Sequence, residues 1–565
     1  MDGRASLRAP VGPDAWRWRT FQSVRTLVVP ARTVTSTVRV LEVLPDLLRG
    51  DDRVCVVFAY DPTSAFSDGV LELLRSADCR FVPWDHLSDV APHLILSASE
   101  NIDLPDSDCP VLVLPHGVGF QKLVPDSRST GSRLSGMVSE RLLKRARLAV
   151  SHPDQAAQLL AAHPETEGRT VLIGDPCYDR LVASVPQRDT YLRALRLEPG
   201  QRLVVVSSTW GPTSLIARVP DLPARLLAEL PLDEYRVAVV LHPNIWSTHG
   251  AWQIRTLQAA ALEAGLLIIP PTRGWQAAVV AAAAVVGDHG SVTLYSASLG
   301  RPVLLAAFGD DAVPGTAGAE LGRRAPRLDL QAPLRAQVEQ AIAGQEPDRW
   351  TDIAQRAFDQ PGRAMERLRS AVYDLIGLPE PTGPTPVHAF PVPQVQPGPV
   401  TAAVVSLHLT ADADGWSLAV ERYPAPVARR ADEGPGEFRY LACDLAEPDP
   451  KQVLNASVLI ERTPLDATAA THRIAEILRA CPGSRAAATA LETAGEHLVG
   501  LRDHRLIRVT TADGAADPDL AAAAVYACLR ADIPLDGARL TVRIGFARTP
   551  AVRTRTVELR QLRRG

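Results

Sequence analysis

Lysine is almost missing from this chain of 565 residues. It occurs only at Lys122, Lys144 and Lys451, and arginine carries the rest of the positive charge, a bias that GC-rich codon usage accounts for. With 60 Lys and Arg against 64 Asp and Glu, the formal net charge is −4. There is no basic surplus to track a nucleic acid or an anionic membrane. Seven scattered cysteines contain no CxxC pair, which argues against a disulfide framework and for reduced thiols. No apolar run precedes Thr20, so no signal peptide is read, and the Ala-rich stretch at 277–286 is too short to span a bilayer. The expectation is a soluble, cytoplasmic protein.

What is present is a globular composition, 46% hydrophobic and 22% charged, in a chain long enough for two to four domains. After a polar, unpatterned stretch at 1–20, short apolar runs alternate with helical patterns as far as about 375. "RTLVVPA" (25–31), "RVCVVFAY" (53–60), "HLILSAS" (93–99) and "CPVLVLPHG" (109–117) open a first series of strands. "RLVVVSST" (202–209), "YRVAVVLHP" (235–243), "LLIIPP" (266–271) and "AAVVGDHG" (283–290) belong to a second. Continuous apolar strands with interposed helices mean parallel sheets covered on both faces. The expected fold is α/β: two Rossmann-type domains, at 21–195 and 196–377, the second closed by a long helix at about 351–376.

"PEPTGPTPVHAFPVPQVQPGP" (379–399) is too rich in proline to continue a helix or join a central sheet. It predicts an extended linker, at 378–400, between independently folded parts. Residues 401–565 mix strands with alanine-rich helices, an α+β accessory domain in which a protein partner would find its surface.

In open parallel sheets, ligands meet the carboxyl ends of the strands. The first series places His116 and Gly117 there, with Lys122 following. The second places Ser208-Thr209, His242-Pro243-Asn244 and Asp288-His289-Gly290-Ser291, with Thr293 two residues further on. Gly290 permits close backbone approach, Ser291 is a plausible N-cap, and a helix starting there offers free amides to a diphosphate. Each signal has a plain structural counterpart: Gly-Ser after a strand is a common cap, and a lone histidine is usually a satisfied hydrogen-bonding residue. Three histidines at strand ends on one expected ligand side favour a site. Trp210 and Trp275 are read as packing residues. No Walker loop, HExxH or other metal-binding pattern occurs, so no metal or cofactor is expected.

His-Gly after a first-domain strand, His-Pro in the second domain, and Asp-x-x-Ser before a helix and "GRPVLL" together resemble the CDP-glycerol glycerophosphotransferase family, teichoic-acid-type polymerases of GT-B fold, over about residues 22–376. More loosely, the second series is similar to the nucleotide-binding half of GT-B glycosyltransferases and of UDP-N-acetylglucosamine 2-epimerase. The resemblance implies an inverting, metal-independent transfer from a nucleotide-diphosphate donor to a hydroxyl acceptor. His116 would be the base, His242 would lie near the donor phosphates, Ser291 would bind the donor, and Lys122 loosely matches a family lysine. The chain differs from the family in having Asp288-His289-Gly290-Ser291 for Asp-Tyr-Ser-Ser, Tyr295 at an acidic position, and no basic amphipathic segment. Two other readings follow: a catalytically degenerate GT-B scaffold that binds a nucleotide or a partner, and a 2-epimerase-like enzyme, which would need carboxylates in the cleft.

Overall fold

Apolar strands without polar alternation are stable only where both faces of a sheet are covered, and the chain meets that condition twice. In the computed structural model, residues 15–104, 107–126, 130–395, 397–412, 415–428, 436–514, 517–544 and 553–562 are described. The expectation for 1–20 falls largely outside them.

The first domain contains β1 (Arg25–Ala31), β2 (Val54–Tyr60), β3 (Phe81–Pro83), β4 (Leu94–Ser97) and β5 (Val111–Val113). A small hairpin follows, β6 (Leu123–Pro125) with β7 (Ser132–Leu134), then β8 (Ala146–Val150) and β9 (Thr170–Leu172). Seven strands form a parallel sheet in the order β3-β2-β1-β4-β5-β8-β9. The second domain contributes β10 (Arg202–Ser208), β11 (Tyr235–Leu241), β12 (Leu267–Ile269), β13 (Ala284–Gly287) and β14 (Val303–Leu305). Its sheet is also parallel, in the order β12-β11-β10-β13-β14. The strand order reverses between β10 and β13, where a ligand crevice opens in sheets of this kind. Ser208-Thr209 and Asp288–Ser291 stand on either side of that reversal.

The closing helical region differs from expectation. It is two helices, Thr351–Ala357 and Ala364–Ile376, and the second leaves its own domain. Met365, Leu368, Val372 and Tyr373 are buried with Leu27, Val29 and Val40 of the first domain. The chain therefore passes between the domains three times: out of the first, back in this helix, and out again through the proline-rich segment. The first two passages lie side by side: the Asp179 carboxylate accepts from the amides of Gly362 (2.6 Å) and Ala364 (2.8 Å).

The proline-rich segment has no regular secondary structure but is not a free spacer. Phe390 is buried in the second domain's core cluster. Its carbonyl accepts from the Tyr191 hydroxyl at 2.6 Å and its amide donates to Ser184 Oγ at 2.9 Å. His388 reaches Asp46 of the first domain at 2.9 Å. Proline prevents this strap from joining a sheet; Phe390, with the contacts around it, still pins it.

The last domain is a closed nine-stranded barrel made of β15 (Ala402–Asp412), β16 (Gly415–Pro424), β17 (Glu437–Asp444), β18 (Val458–Leu465), β19 (Ala486–Leu491), β20 (Glu496–Leu501), β21 (Leu506–Thr511), β22 (Arg539–Ile544) and β23 (Arg553–Gln561). The helix Pro518–Arg530 runs through it and touches all nine strands. Every residue from Pro518 to Cys528 is buried, which explains the alanines: a wider helix would not fit. Strand β16 docks the barrel on the second domain. Arg422 pairs with Asp233, its Nε 3.0 Å from Oδ2, and Arg335 reaches Glu421 at 2.7 Å.

Candidate functional site

The carboxyl ends of both parallel sheets face one interdomain cavity of about 570 Å³, whose lining includes His116, His242, Asn244, Gly290 and Ser291. The residues singled out from the sequence thus largely meet, but they do not all present free groups.

On the first-domain wall, His116 follows β5. Its Nδ1 lies 3.3 Å from the carbonyl oxygen of Ala98 and 3.8 Å from Glu100 Oε2. A carbonyl can only accept, so Nδ1 carries the proton and Nε2 keeps its lone pair. Arg133, on β7, holds the other Glu100 oxygen at 3.1 Å. Burial pushes the Glu100 carboxyl up, but His116 and Arg133 outweigh it and hold it below its usual range. Neither Glu100 nor Arg133 stood out in the sequence. Glu100 lies three residues beyond the end of β4, so the strand-end rule that flagged His116 would have flagged it too. The carboxylate that strand-end reading did not find in the cleft is this one.

On the second-domain wall, Asp288 organises the turn. Its carboxylate accepts from the amides of Thr209 (2.9 Å), Leu215 (2.9 Å) and Gly290 (2.9 Å). Gly290, in extended backbone, is the N-cap of the helix Ser291–Ser298, so Ser291 is its first residue and not its cap. Among the described residues, the amides of Ser291 and Val292 donate to no protein acceptor. A Cβ on Gly290 would come 3.2 Å from Thr209 Cβ, so only glycine keeps this turn close-packed.

His242 caps the helix Pro243–Leu257 by accepting from the Asn244 amide at 3.1 Å through Nδ1. Nε2 is then the protonated nitrogen. Burial, then the nearby His116 and Lys122, push its pKa down to about 3, so the ring is a neutral donor and not a base.

Three of the expected donor contacts have their groups occupied, and a fourth, Thr293, is buried away from the cavity. The Ser208 hydroxyl donates to Thr209 O (2.9 Å) and accepts from Ile216 N (3.0 Å), while the Thr209 amide is taken by Asp288. His289 accepts from Gly309 N at Nδ1 and faces Asp311 at Nε2, each at 3.2 Å, which fixes its tautomer and braces the 309–311 loop. Thr293 is fully buried and packs under the turn against Gly287, where a Cβ would stand 2.3 Å from its Oγ1. Lys122, expected to meet an incoming anion, is paired with Asp311 at 3.2 Å and lies over the Trp210 ring.

Several of these contacts stitch the walls together. Ser291 Oγ accepts from Val118 N at 3.1 Å, and Gly117 has no room for a Cβ, which would stand 2.6 Å from that hydroxyl. Tyr295, at the position where the family resemblance leads one to expect an acid, is buried. Its hydroxyl meets Asp175 at 2.5 Å and accepts from Arg39 at 2.9 Å. An acidic side chain beside Asp175 would place two buried carboxylates together, whereas a phenol donates to one. Apolar surface completes the cavity: Trp275 packs on Tyr295, and Trp210 meets Phe66 edge-on at 5.4 Å. Both tryptophans therefore pack, as expected, and also face the cavity.

Among the described residues no helix is long and apolar enough to cross a membrane. No family model matches the chain, and no curated protein matches it in sequence. Among solved structures it is similar to the wall teichoic acid polymerase TagF, with 12% identity over 63% of this chain and 89% of the other, TM-score 0.42. It is also similar to a UDP-GlcNAc 2-epimerase from Neisseria meningitidis bound to UDP-GlcNAc (13% identity, 62% and 100% coverage, TM-score 0.41). A third is MnaA of S. aureus with UDP (13% identity, 64% and 100% coverage, TM-score 0.37). Likeness at this level assigns no chemistry, which is read from the cleft residues themselves.

Proposed function

We propose that the cleft is the active site of a GT-B-type transferase, which moves a glycosyl or polyol-phosphate group from a nucleotide-diphosphate donor to a hydroxyl acceptor. The observation that carries this reading is the pairing of opposites in one cavity. A histidine with a free Nε2 lone pair stands on one wall; unspent amides and a neutral Nε2–H donor stand on the other.

In this reading His116 Nε2 takes the acceptor's hydroxyl proton as the oxygen attacks the donor. The bond between the transferred group and the departing phosphate oxygen breaks. Negative charge growing on that oxygen is met by the Ser291 and Val292 amides at the helix N-terminus and by His242 Nε2–H. The Ala98 carbonyl holds the His116 tautomer, and Glu100 offsets the charge of the imidazolium. The hydrophobic surface of Trp275 and its neighbours suits the nucleoside.

A catalytically silent nucleotide-binding scaffold is the second reading. It is favoured by the internal engagement of Ser208, Thr209, His289 and Lys122, which leaves the cleft with few free polar groups. A thermal-shift screen of nucleotide-diphosphate sugars and CDP-polyols, followed by assay of donor turnover, separates the two. Stabilisation with turnover supports the transferase; stabilisation without transfer or hydrolysis supports the scaffold; no stabilisation by any donor overturns both.

A further inference from the structure

Behind the first sheet lies a second cavity, of about 580 Å³, at the edge opposite His116. It sits at the amino ends of β5, β8 and β9: Pro110 precedes β5, Arg145 precedes β8 and Arg169 precedes β9. Five cations line it, Arg141, Lys144, Arg145, Arg147 and Arg169. They include one of the three lysines in a chain whose net charge is −4.

Two of the five are engaged. Arg145 donates to Ser107 O at 2.8 Å, and Arg141 lies 3.9 Å from Asp103. The other three have no carboxylate partner among the described residues: Arg147 donates only to the carbonyl of Ala146, at 3.4 Å, and Lys144 and Arg169 pair with nothing. Asp103 and Asp108 also line the cavity, so five cations face two carboxylates; the surplus cations repel one another, and a bound anion relieves that repulsion. Guanidinium groups also match the geometry of phosphate oxygens.

We propose that this cavity is a second ligand site, specific for a small molecule carrying two or more phosphate charges. It is separate from the cleft and independent of the reaction proposed there. Three unpaired cations call for more than one negative charge, and a concavity of this size suits a small molecule better than a polymer.

The test is calorimetric titration of inorganic pyrophosphate into the full chain at low ionic strength, where exposed charges act most strongly. A binding event is expected that survives Gly290→Val in the cleft. Arg147→Gln/Arg169→Gln should weaken that event at least tenfold, and Lys144→Gln, at an exposed position, should weaken it several-fold. If the double variant does not fold, Lys144→Gln decides. Wild-type affinity in the folded variants, loss of the event in Gly290→Val, or no binding at millimolar pyrophosphate overturns the proposal.

Discussion

The hydroxyl of Ser291 accepts a hydrogen bond from the amide of Val118 at 3.1 Å, so the amide-rich turn of one domain is fastened to the His-Gly loop of the other. Gly117 permits the approach. In Gly117→Ala a methyl 2.6 Å from Ser291 Oγ would wedge the walls apart. Overpacking of this kind costs about 1–3 kcal/mol, which should appear as a roughly 5- to 150-fold loss of donor affinity. Gly117→Ala/Ser291→Gly should recover part of it. Calorimetry on both variants checks this; full affinity in the single variant would show that the contact is not needed for binding.

His116→Ala should lower turnover by about 10²–10⁴-fold, the usual contribution of a positioned base, and leave donor affinity nearly unchanged. Glu100→Gln keeps the shape and removes the charge, so it should reduce kcat on the order of tenfold with little change in KM. The ¹⁵N shifts of the His116 ring supply a readout apart from activity. A proton on Nδ1 in both the wild type and Glu100→Gln is the expected pattern, because the Ala98 carbonyl fixes it, so that the loss of kcat reports the charge alone. Unchanged kcat would remove Glu100 from the mechanism.

His242 predicts a pH dependence of stability. A free histidine titrates near 6.5, while burial holds this one at about 3. Between those values the unfolded chain binds the proton and the folded chain does not. The stabilisation is therefore present above about pH 6.5 and is lost as pH falls towards 3, at up to ~1.4 kcal/mol per pH unit for one proton. In His242→Asn, whose side chain still caps Asn244, the fall in melting temperature over this window should be shallower. Parallel curves for the two proteins would contradict the burial of His242 as a neutral ring.

The strap at 379–399 is expected to resist protease in the native chain because Phe390 anchors it. Truncating a buried phenylalanine costs about 3–5 kcal/mol, enough to loosen the segment around its deepest anchor, with His388 and Val395 left to hold it. Phe390→Ala should make cleavage within 379–399 the first event in limited proteolysis. Equal cleavage rates for the two proteins would show that the anchor is not what holds it.

Periodicity made the two parallel sheets legible, because covering both faces leaves an unbroken apolar signature in strands such as β1 and β10. The same rule brought His116 and His242 to the cleft. It did not reveal which polar groups were already satisfied. Ser208, Thr209 and His289 look like ligand contacts in one dimension, yet their partners Ile216, Asp288 and Asp311 come from other loops. Glu100 sat within reach of the strand-end rule, three residues past β4, but its role shows only where Arg133 and His116 converge on it. The barrel was unreadable because closure is a property of pairing between distant strands. "PDLAAAAVYACLR" did carry a hint, being apolar on every side, as a helix enclosed all round must be.

Three passages of chain link the domains, two joined through Asp179 and the third held through Phe390 at Ser184 and Tyr191, and this has a mechanical consequence. Anchored close together on one flank, they form a hinge line, as pins do on one edge of a door. Opening is then a swing about that line, with no free swivel. The far rim of the cleft travels furthest, so Ser291 and Val118 part on opening, while the lateral alignment of His116 with the facing amides is kept for every closure. Catalytic register would thus be inherited from chain connectivity and need not be rebuilt by the substrate.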